Sequence, residues 1–209
     1  MYNRLNLNSV LIIFAAALSL IISGCGAATV EKKMTRLRFA DNIVVSYPQN
    51  GFDAYPDMVQ QVVFEQDNTT YEFTAMVELK KASMTIAGLS PLGDRQFLMT
   101  LDGNEFRYES QMMFDLPFPP QYLARDFLLI YTSPGALEQQ LKGLKVYETV
   151  NGRGIKYNNV QHIEIERDMQ GFAASEIRFV NLIAGYSIQI STVQVDYPNE
   201  VSTPGNTTP

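Results

Sequence analysis

The chain has 209 residues, is 46% hydrophobic and 18% charged, and carries 22 acidic against 16 basic residues for a formal net charge of −6. This is enough apolar material for one domain with a real core, and an acidic domain is a poor polyanion binder, which excludes nucleic acid as an expected partner. A lone cysteine excludes an internal disulfide.

The first elements in chain order are not part of the fold. Arg4 is the only charge before Cys25, and residues 10–23, VLIIFAAALSLIIS, form a short apolar run ending in small residues. Positive start, apolar middle and small-residue exit are the layout of an export signal. The run is shorter than the ~20 residues that span a bilayer, so a permanent transmembrane helix is not expected. The segment IISGC resembles the lipobox of bacterial lipoproteins, which implies cleavage before Cys25 and diacylation of its sulfur. An acyl anchor of this kind buries many methylenes at ~0.8 kcal/mol each. Gly26 follows the cysteine, and by the sorting rule of enteric lipoproteins the absence of Asp there implies the outer membrane, periplasmic face. Residues 1–24 are therefore expected to be a lipoprotein signal peptide and 25–36 a lipidated tether, with the domain over 37–197 and a disordered Pro/Ser/Thr/Asn-rich tail at 198–209. Removing residues 1–24 deletes Arg4 and no acid, which takes the net charge from −6 to −7.

Inside the domain the dominant signal is the two-residue period of half-buried strands. In YEFTAMVELKK, Phe73, Ala75, Val77 and Leu79 share one face, while Met76 falls with the polar residues. MVQQVVFEQ and the turn DNTT complete a hairpin with it; SMTIAGLS and RQFLMTLDG predict a second around GLSPLGDR, and LDGNEFRYES a third. A helical pattern follows. Pro119 and Pro120 suit a first turn, Tyr122, Leu123, Phe127, Leu128, Ile130 and Tyr131 recur at spacings of three to four, and Ser133-Pro134-Gly135 separates a second short helix over 136–141. Strands resume with LKVYETV, GIKYN, NVQHIEIER, ASEIRFVN and GYSIQISTVQV. The expected fold is α+β: an incomplete antiparallel β-barrel of about nine to eleven strands, lidded by short helices on its concave side.

Chemistry is sparse. His162 shares a strand face with Val160, Glu164 and Glu166, with no third ligand in view, so no metal site is expected. Ser-His-Asp catalysis would have to use His162 as base with nothing nominating a serine, and no nucleotide-binding motif is present, so neither an enzyme nor a cofactor is expected. Nine methionines, Met84, Met99, Met112 and Met113 among them, are suited either to a deformable apolar cavity or to plain core packing.

The stretches LSPLGDRQFLMTLDGNEFRYES and DLPFPPQYLARDFLLIY, with the late Gly185-Tyr186, resemble a family of bacterial lipoproteins encoded beside aryl-polyene biosynthesis genes; more remotely the element order over 39–196 is similar to LolB, the outer-membrane receptor that accepts lipoproteins from the carrier LolA. The resemblance implies a lidded, incomplete barrel around an apolar cavity for acyl chains, and a partnership with a membrane, an acyl-chain or lipid ligand and a periplasmic carrier protein. It also implies that Leu92, at the tip of Pro91-Leu92-Gly93, is a membrane-inserting tip; the alternative is that Leu92 folds back under the helices as a plug. The expected cavity wall is Phe73, Ala75, Val77, Leu79, Met84, Ile86, Phe97, Met99 and Leu101 from the sheet and Phe127, Leu128 and Tyr131 from the lid. The expected function is binding and transfer of such a ligand; the competing expectation is a scaffold lipoprotein that docks a partner.

Overall fold

The structure is a computed structural model that describes residues 37–40, 43–45, 52, 56–103, 105–111, 116, 118–140, 144–168 and 175–197. The expected signal peptide, the tether with Cys25 and the tail at 198–209 lie outside the described residues. A short antiparallel pair, β1 (Leu37–Ala40) and β2 (Ile43–Val45), precedes the main sheet and was not legible in the alternation. The main sheet has ten strands: β3 (Asp57–Gln66), β4 (Thr69–Leu79), β5 (Ser83–Leu89), β6 (Arg95–Asp102), β7 (Glu105–Ser110), β8 (Leu144–Thr149), β9 (Gly152–Tyr157), β10 (Val160–Arg167), β11 (Glu176–Asn181) and β12 (Tyr186–Asp196). Among the described residues two helices, α1 (Pro120–Tyr131) and α2 (Pro134–Gln140), lie between β7 and β8.

The spatial order is β7-β6-β5-β4-β3-β12-β11-β10-β9-β8, every pair antiparallel. Two five-strand meanders are thus joined where β3 pairs β12, from Tyr186 against Gln66 to Asp196 against Asp57. The sheet is open, and two short helices beside so many strands make the molecule more sheet-dominated than the α+β expectation. The two edge strands, β7 and β8, are the ones the helical segment joins in sequence.

Two tight turns set register. Asp67 and Asn68 have φ of 48° and 65°, and Asn158 and Asn159 have 49° and 64°, the paired left-handed geometry whose twist suits a two-residue hairpin and which Asn and Asp tolerate. Register then fixes the faces. Met58, Val62 and Phe64 of β3 share the inner face with Phe73, Ala75, Val77 and Leu79 of β4, Ile163 and Ile165 of β10, Phe179 of β11, and Tyr186, Ile188 and Ile190 of β12, all buried. Met76 points outward and is 50% exposed.

Helix α1 departs from the one-faced amphipathic reading. Every residue from Leu123 to Tyr131 is buried, the charged Arg125 and Asp126 included. A helix buried all round needs partners on all sides: the inner face of the sheet supplies one, and β1 lies against α1 as well. Pro120 stands at the start, where its missing N–H costs nothing, and Thr132 ends the helix in extended conformation.

Candidate functional site

All twelve residues expected to line a cavity fall on the contact between the sheet and α1, and all are buried. Phe73 meets Phe97 edge-on at 5.3 Å between ring centroids, and Phe127 lies 5.9 Å from Tyr131. The space on the concave face is occupied by α1 of the same chain. Three surface depressions among the described residues lie elsewhere. One of about 650 Å³ opens between the β3–β4 and β11–β12 turns, and two of about 540 and 440 Å³ open near β9 to β11; none is lined by any of the twelve.

What holds α1 in place is polar, and the sequence reading missed it. At the helix end, Arg153 Nη1 donates to the Thr132 carbonyl and Nη2 to that of Leu129, both at 2.6 Å, and Ile130 O accepts from both Arg153 and Arg167. Two guanidinium groups thus meet the carbonyls that a helix terminus leaves without intrahelical partners, where the macrodipole favours positive charge. Tyr131 on the last turn receives a hydrogen bond from Gln60 Nε2 at 2.6 Å, and the same nitrogen donates to Thr192 Oγ1 at 3.1 Å. Burial pushes the Tyr131 hydroxyl up to about 12, with the Gln60 bond and Arg167 opposing.

Nearer the start of α1 lies a buried ion pair. Arg125 Nε donates to Asp126 Oδ1 at 2.7 Å, Arg125 Nη2 donates to the Tyr186 hydroxyl at 2.5 Å, and that hydroxyl donates to Asp126 Oδ2. Asn181 Nδ2 donates to the Tyr186 hydroxyl oxygen at 3.2 Å, and the Arg125 guanidinium sits 4.7 Å over the Tyr122 ring. Burial pushes the Asp126 carboxyl above its ordinary range, with Arg125 and Tyr186 pulling it back. Burial also raises the Tyr186 hydroxyl, and the neighbouring carboxylate raises it further. A sequence signal for this cluster exists: adjacent opposite charges inside the apolar run YLARDFLLIY have no exposed face to occupy if the helix is buried. The partner residues, 55 or more positions away, carry no such mark.

Leu92 is 90% exposed, so it stands out from the β5–β6 turn and does not fold back as a plug. The turn is stiff. Ser90 Oγ accepts from the Leu92 and Asp94 amides at 3.2 and 3.3 Å, Gly93 N donates to Ser90 O at 2.9 Å, and Gly93 takes φ of 86°, which a side chain would resist. His162 is half-buried with its ring 5.9 Å from that of Tyr157, and burial lowers its pKa. Among the described residues no three His, Cys, Asp or Glu side chains converge as metal ligands, and no helix is long and apolar enough to cross a membrane.

Among solved structures the chain is similar to the LolA superfamily protein NE2245 from Nitrosomonas europaea, with 8% identity, a TM-score of 0.36 and coverage of 73% of this chain and 88% of that one. No curated protein matches the sequence. Residues 57–194, from the first strand of the main sheet to the lower part of its β12, match the family described as protein of unknown function DUF3261, and the chain belongs to that family.

Proposed function

We propose that the protein is a lipoprotein anchored through Cys25 at the periplasmic face of the outer membrane. In this reading it binds an acyl-chain lipid, an aryl-polyene lipid or the acyl part of a lipoprotein on the concave face that α1 covers. It exchanges that ligand without covalent chemistry, with a periplasmic carrier protein as partner, while Leu92 touches the membrane. The observation that carries the reading is a largely apolar inner face over β3 to β6 and β10 to β12, interrupted by Gln60 and Asn181 and covered by α1, whose polar ties gather at a few named points. Magnitudes make exchange feasible. Leu123, Phe127, Leu128, Leu129 and Ile130 of α1 contribute roughly 7.5–15 kcal/mol by burial at about 1.5–3 each, and an acyl chain of about fifteen methylenes contributes roughly 12 at about 0.8 each, so the apolar gain from a ligand is of the same order as that from the helix. The competing reading, a scaffold that docks a partner and carries no lipid, is favoured by the complete burial of α1 residues Leu123 to Tyr131.

The deciding experiment is native mass spectrometry of the full chain from its host, with displacement of a fluorescent fatty acid. Retained lipid or probe uptake supports the carrier, and an empty protein that takes up no probe leaves the scaffold. The anchor is tested separately: Cys25→Ala abolishes incorporation of labelled palmitate, and continued labelling removes the assignment.

A further inference from the structure

Successive antiparallel strands alternate in direction, so the β3–β4, β5–β6, β9–β10 and β11–β12 turns emerge at one end of the sheet and the β4–β5, β6–β7, β8–β9 and β10–β11 connections at the other. In the strand order the four turns of the first end lie two strands apart, about 10 Å each. They form a row: Leu92, then Asp67-Asn68, then Leu182-Ile183, then the turn leading into Val160. Leu92, Ile183, Val160 and Leu182 are among the exposed large apolar residues of the molecule, Ile183 at 63%.

The two ends differ in charge. The row carries Glu65, Asp67, Asp94 and Glu109 against Arg95, Lys145 and Lys156, four acids to three bases. The opposite end exposes Val150 and Tyr197 too, but among Asp57, Glu78, Asp102, Glu105, Glu148, Glu166, Asp168, Glu176 and Asp196 against Lys80, Lys81, Arg107, Arg153, Arg167 and Arg178, nine acids to six bases.

The apolar tips are also held rigidly. Asn181 Oδ1 accepts from the Ile183 and Ala184 amides at 3.2 and 2.9 Å, Leu182 N donates to His162 O at 2.9 Å, and Gly185 N donates to Asn181 O at 2.9 Å with φ of 70°. Through its Nδ2, Asn181 bonds the Tyr186 hydroxyl and so the Asp126 carboxylate of α1. A turn fixed from behind in this way cannot fold its apolar side chains back.

We propose that this row of turns is a lipid-docking rim, with Leu182 and Ile183 as a second insertion point beside Leu92 and with the acidic end turned away from the bilayer. The proposal rests on the reading that the domain works tethered to a membrane. Three observations name a lipid surface as the occupant. The apolar tips are strung out in a line, which fits a planar and chemically uniform surface, whereas a protein partner needs a contiguous patch. An anionic leaflet repels the end with the larger acidic surplus more strongly than the row of turns. Finally, the twelve steps of chain from Cys25 to Leu37 span at most about 40 Å, so an anchored Cys25 keeps the domain within reach of the bilayer.

The chain contains no tryptophan, so one introduced residue is a clean reporter. The full chain is reconstituted into phosphatidylethanolamine–phosphatidylglycerol vesicles with and without brominated acyl chains, carrying Ile183→Trp, Val160→Trp or, at the far end, Val150→Trp. All three positions are exposed, so the fold is retained; the second rim variant and a melting curve check this. The expected result is a blue shift and quenching by about half or more at 183 and 160, as for groups 5–10 Å into the headgroup boundary, with little at 150. An unquenched 183, or quenching at 150 equal to that at 183, overturns the proposal. A reporter at 183 that is shielded from aqueous acrylamide yet untouched by brominated lipid also overturns it, in favour of a protein contact. Fatty-acid displacement in the same variants separates the two readings: quenching lost with probe uptake retained removes the rim alone, and the converse removes the acyl site alone.

Discussion

Replacing Asp126 with Asn tests the buried cluster at the heart of the site. The substitution preserves shape, and its amide oxygen still accepts from the Tyr186 hydroxyl, so packing and most hydrogen bonding survive. What it removes is the negative charge beside Arg125, whose side chain is buried with it against Tyr122 and Tyr186. Breaking a buried pair by neutralising one partner costs about 3–5 kcal/mol, because the remaining charge is left desolvated without its counter-ion. Against a domain stability of about 5–15 kcal/mol this is a large fraction. With a urea dependence of about 2 kcal/mol per molar, the unfolding midpoint falls by roughly 2 M. The assay is urea unfolding of the full chain followed by circular dichroism. The double variant Arg125→Met with Asp126→Leu removes both charges and leaves Asn181 and Tyr186 bonded to each other at 3.2 Å, so it recovers most of the loss. A single variant that costs less than about 1 kcal/mol, or a double variant as damaged as the single, refutes the reasoning, since either means that water reaches Arg125.

At Gly88 an added Cβ would lie 2.1 and 2.2 Å from two ring carbons of Phe97, a ring held by Phe73 and Tyr108, so Gly88→Ala costs about 1–3 kcal/mol in urea unfolding and adding Phe97→Leu restores most of it; an unchanged midpoint contradicts this. Stability declines in alkali. Tyr131 keeps its proton in the folded chain up to about 12 while the unfolded chain loses it near 10, so unfolding releases a proton in that window and stability falls as pH rises, by about 3 kcal/mol in all from this group. Tyr131→Phe makes the decline shallower by that amount, and an unaltered slope would falsify the assignment. Leu92→Glu shifts stability by less than about 0.5 kcal/mol because the residue touches solvent, yet lowers ligand delivery to vesicles roughly tenfold or more through the loss of about 1.5–3 kcal/mol of interfacial burial; undiminished delivery removes the tip role.

The alternation of Phe73, Ala75, Val77 and Leu79 set the inner face of β4 without reference to any other element, because a strand's side chains alternate whatever it pairs with. The turn residues Asp67-Asn68 and Asn158-Asn159 likewise announced hairpins through local backbone preference. Periodicity also found α1, but it placed only one side of the helix in contact. Whether the Arg125-Asp126 side faced water depended on Asn181 of β11 and Tyr186 of β12, and the three-residue β2 was too short to leave a period at all. Arg153 and Arg167 looked like ordinary strand charges until the fold brought the end of α1 over them. Local physics therefore determined strands and turns, whereas the exposure of Leu92, which the sequence left open between a tip and a plug, was decided by the fold. Tertiary structure alone decided that α1 is buried on every side and that polar side chains distant in sequence converge to hold it, since a charge is buried only where its partners, supplied by other elements, are already in place.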